Sequence, residues 1–254
     1  MPTVLLVRHG RTAANTGGLL AGWTPGIGLD DVGSEQAIAL ARRLAVVPLA
    51  AVVSSPLQRC LETTAELVDV PGPRNTPRPA TQVDDRLGEC RYGDWTGRPL
   101  KELAKDPLWR VVQAHPSAVT FPGPDGESML RMQQRAVDAI REHDARVAGE
   151  HSEDAVWLAV SHGDVIKAVL ADALGMHLDA FQRIVVDPCS VSAVRYTPLR
   201  PFAVRMNDSG GDLATLVPAP RRKRRPARAR AAAPPLTASD AVVGGPPGHH
   251  PTTP

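Results

Sequence analysis

Two histidines and two arginines stand just beyond three short apolar runs of the sequence. Arg8 and His9 end the first run, Arg59 follows the second, and His162 follows the third. An arginine fork matches two oxygens of a phosphate, and a neutral imidazole nitrogen can serve as a nucleophile or accept a proton. These residue types at these places therefore indicate a site for an anionic, phosphorylated ligand.

The same residues do not favour a metal site. No carboxylate trio and no cysteine joins the histidines at the spacing of zinc ligands, so we expect neither a metal nor a cofactor. The three cysteines, Cys60, Cys90 and Cys189, are odd in number and show no CxxC spacing. Because the first residues also lack a basic region before an apolar one, we expect a cytoplasmic protein without a secretory signal.

The elements that would position these residues alternate along the first 218 residues. Buried strands are predicted at 4–7, 50–53 and 155–160, and further extended segments at 184–186, 191–196 and 202–206. Helices are predicted over 35–44, 57–68, 128–148 and 165–174, the first with Ser34 as its N-cap. This alternation predicts an α/β fold of three α/β/α layers, with a mostly parallel open sheet and helices on both faces. Ligands of such sheets bind beyond the carboxyl ends of the strands, where the histidines and arginines stand.

The charge of the chain divides at residue 218. The whole chain has a net charge of +2, but residues 219–254 contain seven basic residues and one acidic residue, which leaves residues 1–218 at −4. We therefore predict one domain over 1–218 and a disordered, basic, Pro/Ala-rich tail over 219–254. A solubilising extension without a partner is favoured over a tail that contacts nucleic acid or anionic lipid. No apolar run has the length of a membrane span.

Five segments of the sequence resemble the signatures of the histidine phosphatase superfamily, the phosphoglycerate mutase-like proteins. The first is Arg8-His9-Gly10-Arg11-Thr12 followed by Asn15, and the last is Ser161-His162-Gly163. Between them lie SSPLQRC at 54–60, LGECRYGDWTG at 87–97 and GES at 126–128. A single tripeptide would be weak evidence, but five matches in family order over about residues 3–200 are specific. The resemblance implies the phosphoglycerate mutase-like fold.

The resemblance also implies a role for each matched residue. His9 would be the nucleophile that forms a phosphohistidine, with its other ring nitrogen fixed by the backbone near Gly10. Glu89 would protonate the leaving oxygen and later accept a proton from water, which requires a raised carboxyl pKa. His162 would act as an imidazolium beside the arginines, so that no metal is needed. The implied ligands of the phosphate are Arg8, Asn15, Arg59, His162 and Gly163.

We expect a phosphatase that acts on a small phosphorylated metabolite, with a phosphoglycerate mutase as the alternative. The short segment 11–15 and the sequence Trp95-Thr96-Gly97 favour a phosphatase, whereas residues 89–93 resemble the mutases. A non-catalytic phospho-ligand binder is disfavoured, because His9 and Glu89 are both present. The irregular segment 71–124, with a short helix expected near 100–105, is predicted to cover the site and select the substrate.

Overall fold

The computed structural model describes residues 2–211 and 243–245, and these form a single sheet flanked by helices. Its strands are β1 (Thr3–Arg8), β2 (Leu49–Ser54), β3 (Thr81–Val83), β4 (Val156–Ser161), β5 (Val191–Tyr196) and β6 (Pro201–Asp208). They follow the order β3-β2-β4-β1-β5-β6. The first four strands run parallel, and β5 and β6 continue antiparallel beyond β1.

Helices cover both faces of this sheet. They are α1 (Ala13–Gly17), α2 (Asp31–Leu44), α3 (Gln58–Asp69), α4 (Leu100–Leu103), α5 (Pro107–Ala114), α6 (Met129–Glu150) and α7 (Gly163–Ala173). Consecutive strand residues point to opposite faces, so β4 buries Trp157 and Ala159 in one core and Leu158 and Val160 in another. The first core includes residues of α6 and α7, and the second includes residues of α2 and α3. The predicted three-layer α/β/α fold is confirmed.

Two local predictions differ from the structure. Helix α2 begins at Asp31 rather than after Ser34, because Asp30 caps it by accepting a hydrogen bond from the Gly33 amide at 2.8 Å. Residues 184–186 are not a strand. They are apolar because Val186 is fully buried, and its carbonyl accepts a hydrogen bond from Arg8 at 2.8 Å.

The segment 71–124 contains more regular structure than its composition predicts. Residues 81–83 form β3, which pairs with β2 at the sheet edge although all three side chains are exposed. Helix α5 begins with Pro107 in its first turn and with Asp106 as its cap. The short helix expected near 100–105 is α4. Strand β3 has no apolar face, which explains why it is not visible in the sequence.

The predicted tail falls largely outside the described residues, as do its basic residues 221–230. Val243–Gly245 are described, and they form a turn against the carboxyl end of β1. No helix of the described residues is long and apolar enough to cross a membrane. The expected cytoplasmic location stays a prediction. All three cysteines are buried and free.

Candidate active site

The carboxyl ends of β1, β2 and β4 bring three of the predicted residues into direct contact. His9 follows β1, Arg59 lies in the first turn of α3, and His162 is the residue before α7. The two imidazole rings lie 5.2 Å apart between centroids. Each of these side chains is at most 3% exposed. Adjacent parallel strands therefore bring together residues that are 153 positions apart in the sequence.

The hydrogen bonds of His9 fix its tautomer. Its Nδ1 lies 2.7 Å from the carbonyl oxygen of Gly10, which can only accept, so Nδ1 carries the proton. Its Nε2 lies 3.2 Å from Nε of Arg59, which can only donate, so Nε2 holds a lone pair. Burial lowers the pKa of His9 well below its usual value, and the charges of Arg59 and Arg8 lower it further. His9 is therefore a neutral imidazole with its nucleophilic nitrogen facing the arginine.

Arg59 connects the two histidines. Its Nη2 donates to the carbonyl of Gly22 at 2.9 Å and to Nδ1 of His162 at 3.2 Å. Since Nδ1 of His162 accepts, its Nε2 carries the proton and donates to the Ser55 hydroxyl at 2.7 Å. Burial lowers the pKa of His162 well below its usual value, and the positive charge of Arg59 lowers it further. These contacts favour a neutral His162, and its role as an imidazolium beside a phosphate stays a prediction.

Glu89 is 3% exposed and lines the same pocket. Burial raises the pKa of its carboxyl group to about 7, the charge of Asp164 adds to that effect, and the charges of Arg59 and Arg8 oppose it. The backbone carbonyl of Glu89 accepts hydrogen bonds from Trp23 Nε1 at 2.6 Å and from Arg135 Nη2 at 3.0 Å. The amide of Cys90 donates to Oε1 of the carboxyl group at 2.9 Å, which holds that group in place, and its pKa allows it to exchange a proton near neutral pH.

Of the remaining predicted ligands, Asn15 lines this pocket, whereas Arg8 and Gly163 contact Gly244 behind its wall. Arg8 is fully buried, and it donates through Nη1 to Val186 and through Nη2 to the carbonyl of Gly244 at 3.2 Å. The Oδ1 of Asn15 accepts from the backbone and hydroxyl of Thr12, which is the N-cap of α1. Gly163 opens α7 and packs against the backbone of Gly244. Their roles toward a phosphate stay predictions.

Two glycines allow the His9 loop to lie close to α2. A Cβ at Gly10 would meet the Gly33 carbonyl oxygen at 2.6 Å, and a Cβ at Gly33 would overlap the backbone of Arg11. The Gly10 amide donates to the hydroxyl of Thr63 on α3 at 3.0 Å. This close packing holds the Gly10 carbonyl, and hence the ring of His9, in one orientation.

Several residues of the site are not marked by the matched signatures. Asp164 is fully buried, and its Oδ2 accepts from the Tyr92 hydroxyl at 3.0 Å and from the Gly244 amide at 2.9 Å. Lys167 lies 3.4 Å from its other oxygen. The position directly after His162-Gly163 is the one signal that places Asp164 at the site. Nothing in the composition of the tail indicates that Gly244 reaches it.

The charged neighbours of the site have structural partners of their own. Nε of Arg11 lies 2.9 Å from Asp30, which ties the residue after Gly10 to the cap of α2. Glu127 forms an ion pair with Arg135, whose Nη2 lies 2.6 Å from Oε1, and Ser128 caps α6. Within residues 2–211 and 243–245, no cluster of three or more His, Cys, Asp or Glu side chains is arranged to hold a metal ion.

Comparison with known proteins shows the family to which this chain belongs. The family model of the histidine phosphatase superfamily, branch 1, matches residues 4–209. The chain belongs to the histidine phosphatase superfamily. The match includes every residue predicted for the site, and it ends before the region that contains Gly244.

Similar histidine phosphatases carry the names of two different activities. A glucosyl-3-phosphoglycerate phosphatase of Mycolicibacterium vanbaalenii is 32% identical over 69% of this chain and 76% of its own. A probable phosphoglycerate mutase GpmB of Yersinia pestis is 30% identical over 77% of this chain and 86% of its own. A mycobacterial glucosyl-3-phosphoglycerate phosphatase solved in complex with VO3 is 25% identical with a TM-score of 0.68. That likeness covers 98% of the solved chain but 81% of this one.

Proposed function

We propose that this chain hydrolyses a phosphomonoester of a small metabolite through a phosphohistidine, without a metal. The observation that carries the proposal is the fixed tautomer of His9, whose proton lies on Nδ1 against the Gly10 carbonyl. The lone pair of Nε2 is thereby directed at the pocket that also contains Glu89. The phosphatase of M. vanbaalenii and the mycobacterial phosphatase with VO3 support a hydrolase of this class.

In the first step, Nε2 of His9 attacks the phosphorus atom in line with the ester bond. A bond forms between nitrogen and phosphorus while the bond to the ester oxygen breaks, and the protonated Glu89 gives its proton to that oxygen. The alcohol leaves. The ring becomes cationic, and the Gly10 carbonyl, 2.7 Å from Nδ1, stabilises that charge.

In the second step, water replaces the imidazole on phosphorus. The Glu89 carboxylate accepts one proton of the water, its oxygen bonds to phosphorus, and the electron pair of the broken phosphorus–nitrogen bond returns to Nε2. Inorganic phosphate leaves, and both His9 and Glu89 are back in their starting forms. A carboxyl pKa of about 7 suits a group that must donate and then accept near neutral pH.

The charge of the transferred group is held by guanidinium and imidazole groups. Arg59 stands between His9 and His162 and would turn its donors from the two ring nitrogens to phosphate oxygens. Arg8 and His162 would complete the set, and a bound dianion would raise the pKa of His162 and favour its protonated form. Asn15 and Gly163 would add neutral donors.

A phosphoglycerate mutase is the second candidate. It is favoured by the likeness to the probable mutase of Y. pestis and by Arg91 within residues 89–93, whose guanidinium lies 3.9 Å above the ring of Trp23. A mutase would use the same phosphohistidine but return the phosphoryl group to a second hydroxyl rather than to water. The two reactions are separated by their products from 3-phosphoglycerate.

The test is a screen of the full chain in EDTA over sugar phosphates, phosphoglycerates, glucosyl-3-phosphoglycerate, phosphoserine and α-ribazole phosphate. We expect phosphate release from at least one compound and a loss of roughly 10³-fold or more in His9→Ala. His177→Ala is the matched control, because this ring is 73% exposed outside the site. Full activity of His9→Ala would refute the phosphohistidine, and faster isomerisation of 3-phosphoglycerate than phosphate release would favour the mutase.

A further inference from the structure

A turn from the far end of the chain lies inside the catalytic pocket. Val243–Gly245 line it together with His9, Arg59 and Glu89. The side chain of Val243 is 3% exposed and belongs to the core cluster that includes Leu20. The family model ends at residue 209, so this turn is an addition to the histidine phosphatase domain.

The turn uses the polar groups of the pocket as a ligand would. The carbonyl of Gly244 accepts a hydrogen bond from Nη2 of Arg8 at 3.2 Å, and its amide donates to Oδ2 of Asp164 at 2.9 Å. A peptide carbonyl is a neutral acceptor in the place where Arg8 would otherwise face an anionic oxygen. The backbone of one residue, Gly244, thus binds a cation and an anion of the site at once.

The fit of the turn depends on its two glycines. Gly244 and Gly245 have φ angles of +79° and +83°, a conformation that other L-residues rarely adopt. A Cβ at Gly245 would meet Nη1 of Arg8 at 2.8 Å, so the backbone lies directly against the guanidinium. A side chain at this position requires the turn and the guanidinium to move apart.

With the turn in place, little of the pocket remains free. The cavity beside His9 has a volume of about 30 Å³, which is room for one or two water molecules. A phosphomonoester needs more room than that, and it needs the donors of Arg8. A phosphoryl group that binds Nη2 of Arg8 would have to displace the Gly244 carbonyl from it.

We propose that Val243–Gly245 are an internal ligand of the catalytic pocket that competes with phosphate for Arg8. The proposal rests on the proposed function in one respect, namely that the pocket binds a phosphoryl group. Because the segment is attached to the domain, it competes at a constant effective concentration, whatever the protein concentration. The apparent affinity for phosphate is then lowered by the fraction of molecules in which the turn is bound.

The experiment compares the full chain with Val243→Asp and Gly245→Val. The aspartate would place a charge in the apolar wall near Glu89 and Asp164, and the valine would collide with Arg8. We expect both variants to bind inorganic phosphate at least threefold more tightly by titration calorimetry. With an active substrate, KM should fall by the same factor and kcat should stay unchanged. Val46→Asp is the matched control, because Val46 is 79% exposed at the opposite end of β2.

Phosphate affinity is measured without turnover, so this test is independent of catalysis. If no compound is hydrolysed but both variants bind phosphate more tightly, the proposed function fails and the internal ligand stands. Unchanged or weaker phosphate binding in both variants, with melting temperatures like that of the parent chain, would overturn the internal ligand. If the melting temperature of one variant is lowered, the phosphate affinity of the other variant decides the outcome, since the two substitutions act on different contacts.

Discussion

The hydroxyl of Tyr92 donates a hydrogen bond to Oδ2 of Asp164 over 3.0 Å, and both side chains are fully buried. Tyr92 lines the pocket beside Glu89, so the bond places a second carboxylate behind the proposed proton donor. Two buried carboxylates that interact cannot both ionise easily. Asp164 thus contributes, after burial itself, to the raised pKa of Glu89.

Replacing Asp164 by Asn should move the alkaline limb of the pH profile to lower pH. Glu89 must be protonated to donate in the first step, and its pKa of about 7 reflects burial, the charge of Asp164 and the opposing charges of Arg59 and Arg8. Without the charge of Asp164 the pKa of Glu89 falls, and the donor is lost at lower pH. We expect a shift of roughly one unit in kcat/KM against pH.

The control for this prediction is Asp172→Asn on the same helix. That carboxylate is 31% exposed and pairs with Arg141. Its profile should match that of the parent chain. An alkaline limb that stays in place in Asp164→Asn would show that burial alone sets the pKa of Glu89.

Glu89→Gln should make the protein more stable above pH 7 although it removes the proton donor. The carboxyl pKa is about 7 in the folded chain and near 4.5 when unfolded, so the folded state binds more protons between these values. Stability is therefore lost as the pH rises through this range. At pH 8 the variant should gain on the order of 3 kcal/mol in urea unfolding, with the gain shrinking toward pH 4.5.

The matched control is Glu153→Gln, at an exposed position. Its free energy of unfolding should differ from that of the parent chain by the same amount at pH 8 and at pH 4.5. Equal stability of Glu89→Gln and the parent at pH 8 would contradict a raised pKa. A variant that was more stable and less active would show that the site is maintained at the expense of folding free energy.

The strands and helices that hold the site could be predicted because each has a clear pattern. The buried runs of β1, β2 and β4 are continuous and apolar, and α6 has 22 residues of helical periodicity with Ser128 as its cap. The start of α2 does not follow from the sequence, because Ser34 and Asp30 are both good caps, and the hydrogen bond from Gly33 to Asp30 decides between them. Residues 184–186 have the composition of a strand but form a loop, in which Val186 is buried and Val185 is exposed.

The site could be predicted as a set of residues but not as a network. The signatures identify His9, Arg59, Glu89 and His162, yet the tautomers depend on contacts such as Ser55 with His162 that only the fold creates. The contact of Gly244 with Arg8 joins residues 236 positions apart. The low hydrophobicity of residues 219–254 predicts disorder, and their composition gives no sign of a three-residue turn that fits a pocket.

Arg59→Lys should lose most activity even though it keeps the charge. The guanidinium donates from Nε to His9 and from Nη2 to both Gly22 and His162, and a single ammonium group cannot reach all three acceptors. We expect kcat to fall by roughly 10²-fold or more, in the range for a lost donor to a transferred group. Arg42→Lys, an exposed change near the end of α2, is the control.

Arg59→Met separates the charge of this residue from its geometry. The charge of Arg59 is the second cause, after burial, of the lowered pKa of His9, and His9 must be neutral to attack. Arg59→Met should therefore raise the pKa of His9 and move the acid limb of kcat/KM to higher pH, whereas Arg59→Lys should leave that limb in place. If both variants shift the acid limb equally, or neither does, the charge of Arg59 does not keep the nucleophile deprotonated.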